Sequence, residues 1–209
     1  MMGILDFLHR PARPETLDIP LFPLHTVLFP GGVLPLKIFE QRYLDMAAAC
    51  LKDKTPFGVC LIDSGNETGA AAEPHAVGTL AEITASDMEQ LGILLVTVRG
   101  GRRFRIVSKA VAPDHLLTGR VELLAEMPTV AVPPERQRLL PFLQRVVSDL
   151  DPARIAEPHR FDDAGWVGCR ITEILPVQNL AKQKLLELDD PLVRLEILEK
   201  YLDQRRLLG

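Results

Sequence analysis

The side chains that could do chemistry are scattered along this sequence and form no recognisable catalytic motif. There are five histidines, and they share no spacing that would bring two imidazoles onto one metal ion: His9, His25, His75, His115 and His159. No glycine-rich loop ends in Lys-Ser or Lys-Thr to hold phosphates, and no Gly-x-Ser-x-Gly turn presents a nucleophile. We therefore predict a protein that is not an enzyme and uses neither a metal nor a cofactor. A hydrolase remains an alternative, since folding could bring Ser64 or Ser108 beside a histidine.

Glu40, Arg42 and Tyr43 stand close together and could form an acid–base or binding cluster. Residues 38–51 carry apolar side chains at helical spacing, from Phe39 onward, and Glu40 falls in the first turn, where the helix dipole favours an acid. We interpret the group, with Phe39, as a structural motif. In this interpretation Tyr43 packs inward and Arg42 pairs locally or fastens a loop.

Arg99, Arg102, Arg103 and Arg105 form the one concentration of basic side chains. The adjacent Gly100-Gly101 pair separates two apolar runs and predicts a tight hairpin. On the strand that follows, Arg103 and Arg105 would share a face able to grip phosphates or acidic peptide segments. They could equally be the solvated face of a hairpin. Aromatic residues make up only 5% of the chain, so base stacking lacks a platform.

Composition describes an ordinary globular protein of 209 residues, 47% hydrophobic and 25% charged. The net charge of -4 means that nucleic-acid binding would need a local basic patch. No apolar run approaches the roughly 20 residues that cross a membrane, and the N-terminus does not read as a signal peptide. Three scattered cysteines, Cys50, Cys60 and Cys169, predict buried thiols in a reducing cytoplasm.

The pattern of turns and apolar residues predicts a β region after a flexible arm at residues 1–15. Within residues 16–128, Pro20 and Pro23 would keep the first extended segment at a sheet edge. Pro30-Gly31-Gly32 predicts a turn. Short, closely spaced strands follow from Phe57 to Leu124, a pattern that favours a small barrel over a doubly wound sheet.

Residues 129–209 predict a helical region. A bundle-like apolar stripe over residues 135–150 would be bent at Pro141. Asp162 or Asp163 would cap the next helix, and Asp190-Pro191 would open the last one. The predicted fold class is therefore α+β, a small β-barrel domain followed by a helical bundle.

Several segments stand out by composition and order. They are Phe22-Pro23-Leu24, Leu28-Phe29-Pro30-Gly31, Leu36-Lys37-Ile38-Phe39-Glu40-Gln41-Arg42-Tyr43, Val77-Gly78-Thr79, residues 101–106, residues 166–176 and residues 184–188. Together they resemble the N-terminal substrate-binding domain of the ATP-dependent Lon protease in a stand-alone form, over most of residues 17–205. The chain departs from the common pattern at Glu89-Gln90-Leu91-Gly92, where relatives often carry an Asp-Gly-Arg turn.

The resemblance implies a PUA-like β-barrel joined to a helical bundle. In full Lon proteases this region helps capture unfolded or tagged substrates, while the ATPase and the Ser–Lys peptidase lie in later domains. The chain stops before those domains, so the resemblance implies a non-catalytic module.

Our leading hypothesis is a peptide- or protein-binding module for unfolded or tagged polypeptides, with a protease or chaperone as further candidate partners. An extended, apolar-bearing peptide would lie in a cleft between the domains or add to a sheet edge. The candidate peptide contacts are Phe22, Phe29, Arg102, Arg103 and Arg105. RNA binding through the arginines is the second hypothesis, because PUA-like barrels also occur in RNA-modifying proteins. The acidic charge makes a nucleic-acid partner the less favoured one, and no membrane partner is expected.

Overall fold

The computed structural model describes residues 14–151 and 154–208. The predicted flexible arm, apart from its last two residues, lies outside the described part of the chain. A mixed six-stranded sheet makes up the N-terminal half, with strand order β2-β5-β4-β3-β1-β6. Its strands are β1 (Thr16–Leu24), β2 (Val33–Ile38), β3 (Phe57–Ser64), β4 (Glu73–Gln90), β5 (Ile93–Val111) and β6 (Leu117–Leu123). Helix α1 (Gln41–Asp53) connects β2 to β3.

The α+β class is confirmed. Strands β5, β4, β3, β1 and β6 each pair with the next, and β6 pairs in turn with β5, so these five strands form a ring with β2 added beside β5. The long strand β5 pairs with β2 over its first half and with β6 over its second half. Strand β2 has β5 as its only strand neighbour within the described residues, so it stands at an end of the sheet. The parallel pairing of β1 with β3 makes the sheet mixed.

Strand β1 lies inside the sheet, contrary to the prediction from its two prolines. Its first half, containing Pro20, pairs with β6, and its second half, containing Pro23, pairs with β3. Each proline therefore has a paired strand on one side only, which is the situation that a residue without a backbone donor requires.

The Gly100-Gly101 hairpin prediction was wrong, because β5 runs straight through both glycines. The turn between β4 and β5 is at Leu91-Gly92, where Gly92 adopts a φ of +85°. Gly100 serves a close contact instead. It exchanges backbone hydrogen bonds with the turn at residues 30–32, and a Cβ at this position would collide with the Phe29 carbonyl oxygen.

The described residues of the C-terminal half contain four α-helices: α2 (Leu139–Asp149), α3 (Ala164–Ile174), α4 (Asn179–Glu187) and α5 (Pro191–Gln204). Pro141 lies in the first turn of α2, where no backbone donor is needed, so it marks the helix start and not the predicted bend. The Asp163 carboxylate caps α3 by accepting from the Gly165 amide at 2.9 Å. The Asp190 carboxylate caps α5 in the same way, and Pro191 follows at the first helical position, as predicted.

The protein buries several apolar clusters. One packs α1 on the sheet, with Phe22, Tyr43 and Phe57 among its members. A second lies among the helices. Another joins the two halves through residues of both, including Phe29 from the sheet side and Leu186 from α4. The division at residues 16–128 and 129–209 stays a prediction, since this cluster crosses it.

Candidate binding cleft

A cleft of about 750 Å³ opens between the sheet and the helices. Its sheet side is formed by Thr26, Val27, Leu28, Val33, Leu34, Pro35 and Thr97. Its helical side is formed by Val146, Leu150, Asp151, Arg154, Ile155, Glu173, Ile174 and Lys182. Apolar side chains from both halves therefore face each other across a space large enough for several side chains of a ligand.

The polar groups of the cleft centre on Glu173. The Arg170 guanidinium pairs with its carboxylate, with Nε at 2.8 Å from Oε2 and Nη2 at 2.9 Å from Oε1. Lys182 Nζ donates to the backbone carbonyl of Glu173 at 2.7 Å. Burial raises the pKa of Glu173 to about 7, against the opposing effect of the two cations. Burial also lowers the pKa of Lys182.

The rim of the cleft is held by hydrogen bonds that cross from the helices to the sheet. Arg170 Nη2 donates to the Pro30 carbonyl at 2.8 Å, and Asn179 Nδ2 donates to the His25 carbonyl. Gly31 adopts a φ of +72° beside Arg170, a backbone conformation that favours glycine. These contacts fix the β1–β2 connection against α3 and α4, so the cleft is preformed.

The arginine concentration does not form one face. Arg103 is buried, and its Nη1 donates to the carbonyls of Leu186 and Leu188 at 2.8 and 3.0 Å. Its Nη2 pairs with Asp189 at 2.7 Å, so this side chain fastens the α4–α5 connection to the sheet. Arg105 is exposed on the same strand.

The side chains of Arg102 and Arg99 have surroundings different from those of Arg103 and Arg105. The Arg102 guanidinium pairs with Glu15 at 2.6 Å and donates to the Leu124 carbonyl at 3.3 Å. Arg99 is exposed one residue before the glycine contact. The four side chains therefore have separate environments, and a shared grip on phosphate would involve only the exposed ones.

Phe22 and Phe29, two predicted peptide contacts, are buried. Phe22 stacks on Tyr43 with ring centroids 4.1 Å apart, and Phe29 is fully enclosed. Phe22 nevertheless contributes to the lining of a small surface cleft of about 210 Å³, together with Phe39 and Tyr43. A peptide could reach Phe29 only by displacing its packing. The role of both rings as contacts stays a prediction.

The start of α1 has mainly internal contacts. Arg42 is buried, pairs with Glu40 at 3.0 Å and donates to the His115 carbonyl at 2.9 Å, while its guanidinium lies 4.6 Å from the Tyr43 ring centroid. The prediction that Phe39 belongs to the helical apolar pattern was wrong. It precedes the helix and is 57% exposed, so it does not belong to the buried face of α1.

Sequence reasoning missed the residues that line the cleft. Val146, Leu150 and Ile174 look like ordinary core positions in a helical pattern. Glu173 carried the one available signal, because it interrupts an apolar run between Ile171 and Leu175. A partly buried acid at such a place needs a partner, but the sequence does not say which one.

The cysteine thiols are shielded from solvent. All three cysteines are buried and free, and burial raises the pKa of the Cys60 thiol to about 12. Across residues 14–151 and 154–208, no group of three or more acidic, histidine or cysteine side chains is placed to hold a metal ion. No helix in the same ranges is long and apolar enough to cross a membrane.

A mixed sheet, a set of helices and a preformed apolar cleft between them define an α+β binding domain. Residues 18–204 match the family model described as the ATP-dependent protease La (LON) substrate-binding domain. The chain therefore belongs to the Lon substrate-binding domain family, and the resemblance seen in the sequence is confirmed.

The relatives are Lon proteases much longer than this chain. The Lon protease of Xanthomonas oryzae pv. oryzae is 30% identical over 200 residues, which cover 92% of this chain and 23% of the relative. That of Escherichia coli K12 is 26% identical over 201 residues, 90% of this chain and 25% of the relative. The chain thus spans about a quarter of their length.

Solved structures share the fold. A Lon N-terminal domain protein from Xanthomonas campestris has a TM-score of 0.74 and 36% identity, covering 88% of this chain and 98% of that one. The N-terminal domain of the Mycobacterium avium complex Lon protease, 21% identical, has a TM-score of 0.61 over 90% of this chain and 98% of its own.

Proposed function

We propose that this protein is a non-catalytic module that captures extended, apolar segments of unfolded or tagged polypeptides in the cleft between its sheet and its helices. The observation that carries the proposal is the cleft itself, about 750 Å³ with apolar walls, in a member of a substrate-binding family. Its ligand would lie between β2 and α2 and cover side chains such as Leu34, Val146 and Leu150.

Several features support a polypeptide over a nucleic acid as the ligand. The cleft walls are mainly apolar, and the net charge is -4. Arg103, the centre of the basic concentration, uses its donors on backbone carbonyls and Asp189. The same proposal includes a PUA-like sheet, a bundle of helices and a cytoplasmic location. It also includes a protease or chaperone as a partner of the module.

Binding of a permanently unfolded, fluorescently labelled protein such as reduced carboxymethylated lactalbumin tests the proposal. The variant Val146→Asp places a charge on the cleft wall and should weaken binding about tenfold or more, because an ion cannot be buried against an apolar ligand without a large desolvation cost. The matched control Val193→Asp changes an exposed valine of α5 outside the cleft and should leave affinity unchanged.

Anisotropy titrations of the wild type and the two variants give the result directly. Equal affinities of Val146→Asp and Val193→Asp would remove the cleft as the site. Failure of the wild type to bind several unfolded proteins would remove the function itself.

A further inference from the structure

Strands β4 and β5 extend beyond the end of β3 as an arm, residues 82–98, in which β5 has β2 as its other neighbour. Strand β3 pairs with β4 only as far as Ala81, which lies opposite Phe57. Beyond that point β4 has β5 on one side and, within the described residues, no strand on the other. Residues 84–88 are five consecutive exposed positions, as expected where both the faces and the outer edge of a strand meet solvent.

The outer edge of this arm lacks two of the features that commonly protect an edge strand, and its pairing with β5 is regular from Ala85 to Met88, between two register shifts. Proteins commonly blunt such edges with proline or lysine, and β2, at the end of the sheet, has Pro35 and Lys37. Residues 82–90 of β4 contain neither. Their backbone donors and acceptors can therefore pair with another extended chain.

The arm also exposes large apolar side chains. Leu91 at the turn is 98% exposed and Met88 is 66% exposed. Phe39 is 57% exposed and follows Ile38 at the end of β2. Ile38 is opposite Leu94 on β5, and Leu94 is opposite Met88 on β4. Phe39, Met88 and Leu91 therefore lie at the same end of the sheet. Neighbouring exposed apolar side chains are typical of an interaction surface.

The charge of the arm indicates what kind of chain would pair with it. Residues 82–98 include Glu82, Asp87 and Glu89 and have no lysine, arginine or histidine. Arg99 on β5 is directly opposite Glu82, whereas Leu95 is opposite Asp87, so the negative charge of the arm is least compensated near its tip. A basic segment is therefore the complementary partner.

We propose that the outer edge of β4 in the arm binds an extended polypeptide segment with alternating apolar and basic residues, by strand addition. The inference rests on the proposed function, because its ligand is also an unfolded polypeptide, but it uses a different surface. Of the arm, Thr97 on β5 lines the cleft, whereas the proposed contact is the opposite edge of β4, one strand from Thr97 and two strands, about 10 Å, from β2.

Two labelled decapeptides test this proposal, one alternating valine with lysine and one alternating valine with glutamate. The valine–lysine peptide should bind and the valine–glutamate peptide should bind at least tenfold more weakly, with a difference that shrinks as salt is added. Amide hydrogen exchange should slow at residues 84–88 when the valine–lysine peptide is bound.

Variants locate the contact. The double substitution Met88→Ser and Leu91→Ser should weaken the valine–lysine peptide about tenfold, equivalent to about 1.4 kcal/mol. Both side chains are exposed, so the fold loses no packing. Val111→Ser, which removes an exposed valine from the far end of β5, is the matched control and should bind like the wild type.

The outcomes separate this inference from the proposed function. If unfolded protein binds the cleft but the decapeptide does not slow amide exchange at residues 84–88, the arm site is overturned and the proposed function of the cleft stands. Concentration-dependent dimerisation that the Met88→Ser, Leu91→Ser variant abolishes would assign the edge to a second copy of the chain and also overturn the proposal. Protection at residues 84–88 with valine–lysine selectivity supports it.

Discussion

Arg103 and Arg105 stand two residues apart on β5, and replacing each by methionine should have very different effects. Arg103 is 3% exposed and donates to the carbonyls of Leu186 and Leu188, whereas Arg105 is exposed. Methionine keeps most of the apolar stem in both variants but removes the guanidinium. The comparison therefore isolates the buried hydrogen bonds.

The size of the destabilisation by Arg103→Met depends on which hydrogen-bond acceptors lose their donor. Without Arg103, the Leu186 carbonyl loses its side-chain donor in a buried place, which costs about 1–3 kcal/mol. The Leu188 carbonyl keeps a hydrogen bond from Arg194. The ion pair with Asp189 adds little, because that carboxylate is 87% exposed and screened by solvent. We expect Arg103→Met to lower the free energy of unfolding by about 1–3 kcal/mol, and Arg105→Met to change it by less than about 0.5 kcal/mol.

Urea unfolding, followed by the fluorescence of Trp166 and by far-UV circular dichroism, measures both variants. Trp166 is the one tryptophan of the chain and lies in α3, while the ellipticity reports the whole fold. If the two variants unfold within about 0.5 kcal/mol of each other, the structural role assigned to Arg103 is refuted. Retained stability with lost polypeptide binding would instead restore Arg103 as a ligand contact.

Two further perturbations test other parts of the structure. Gly100→Ala should destabilise the protein by about 1–3 kcal/mol, because the new methyl group meets the Phe29 carbonyl. In Gly101→Ala the nearest atom is 3.5 Å from the new methyl group, so this control should be nearly neutral in the same urea assay. Equal effects of the two substitutions would contradict the close contact assigned to Gly100. Burial raises the pKa of Glu173 from 4.5 to about 7, so the unfolded chain releases this proton first and stability falls as the pH rises through that window. Between pH 4.5 and pH 8 the wild type should lose about 3 kcal/mol more than Glu173→Gln, and parallel pH profiles of the two proteins would argue against a raised pKa.

Local signals predicted local structure well. The caps at Asp163 and Asp190 depend on short-range chemistry, since a capping carboxylate needs only the amides two or three residues ahead. The family resemblance added the order of the elements. Together these were sufficient for the α+β class.

Long-range contacts explain what the sequence did not reveal. A glycine pair suits both a tight turn and a close backbone approach, and only the position of the turn at residues 30–32 shows that Gly100 serves the second purpose. Arg103 is buried by the end of α4 and the α4–α5 connection, and its acceptor Leu186 in α4 lies 83 residues further along the chain. The cleft is likewise built from segments far apart in sequence, and no pattern within either segment indicates that they face each other.

The hydrogen bonds from Arg170 to Pro30 and from Arg103 to the α4–α5 connection fix the cleft before any ligand arrives. In the proposed function, the module therefore undergoes little ordering when it binds, and most of the entropy lost belongs to the polypeptide. Chains that are already extended and mobile can enter, whereas a folded chain must first unfold locally at a cost set by its own stability. Discrimination between damaged and intact proteins would then depend on the stability of the client protein, and the module would not need to recognise a particular amino-acid sequence.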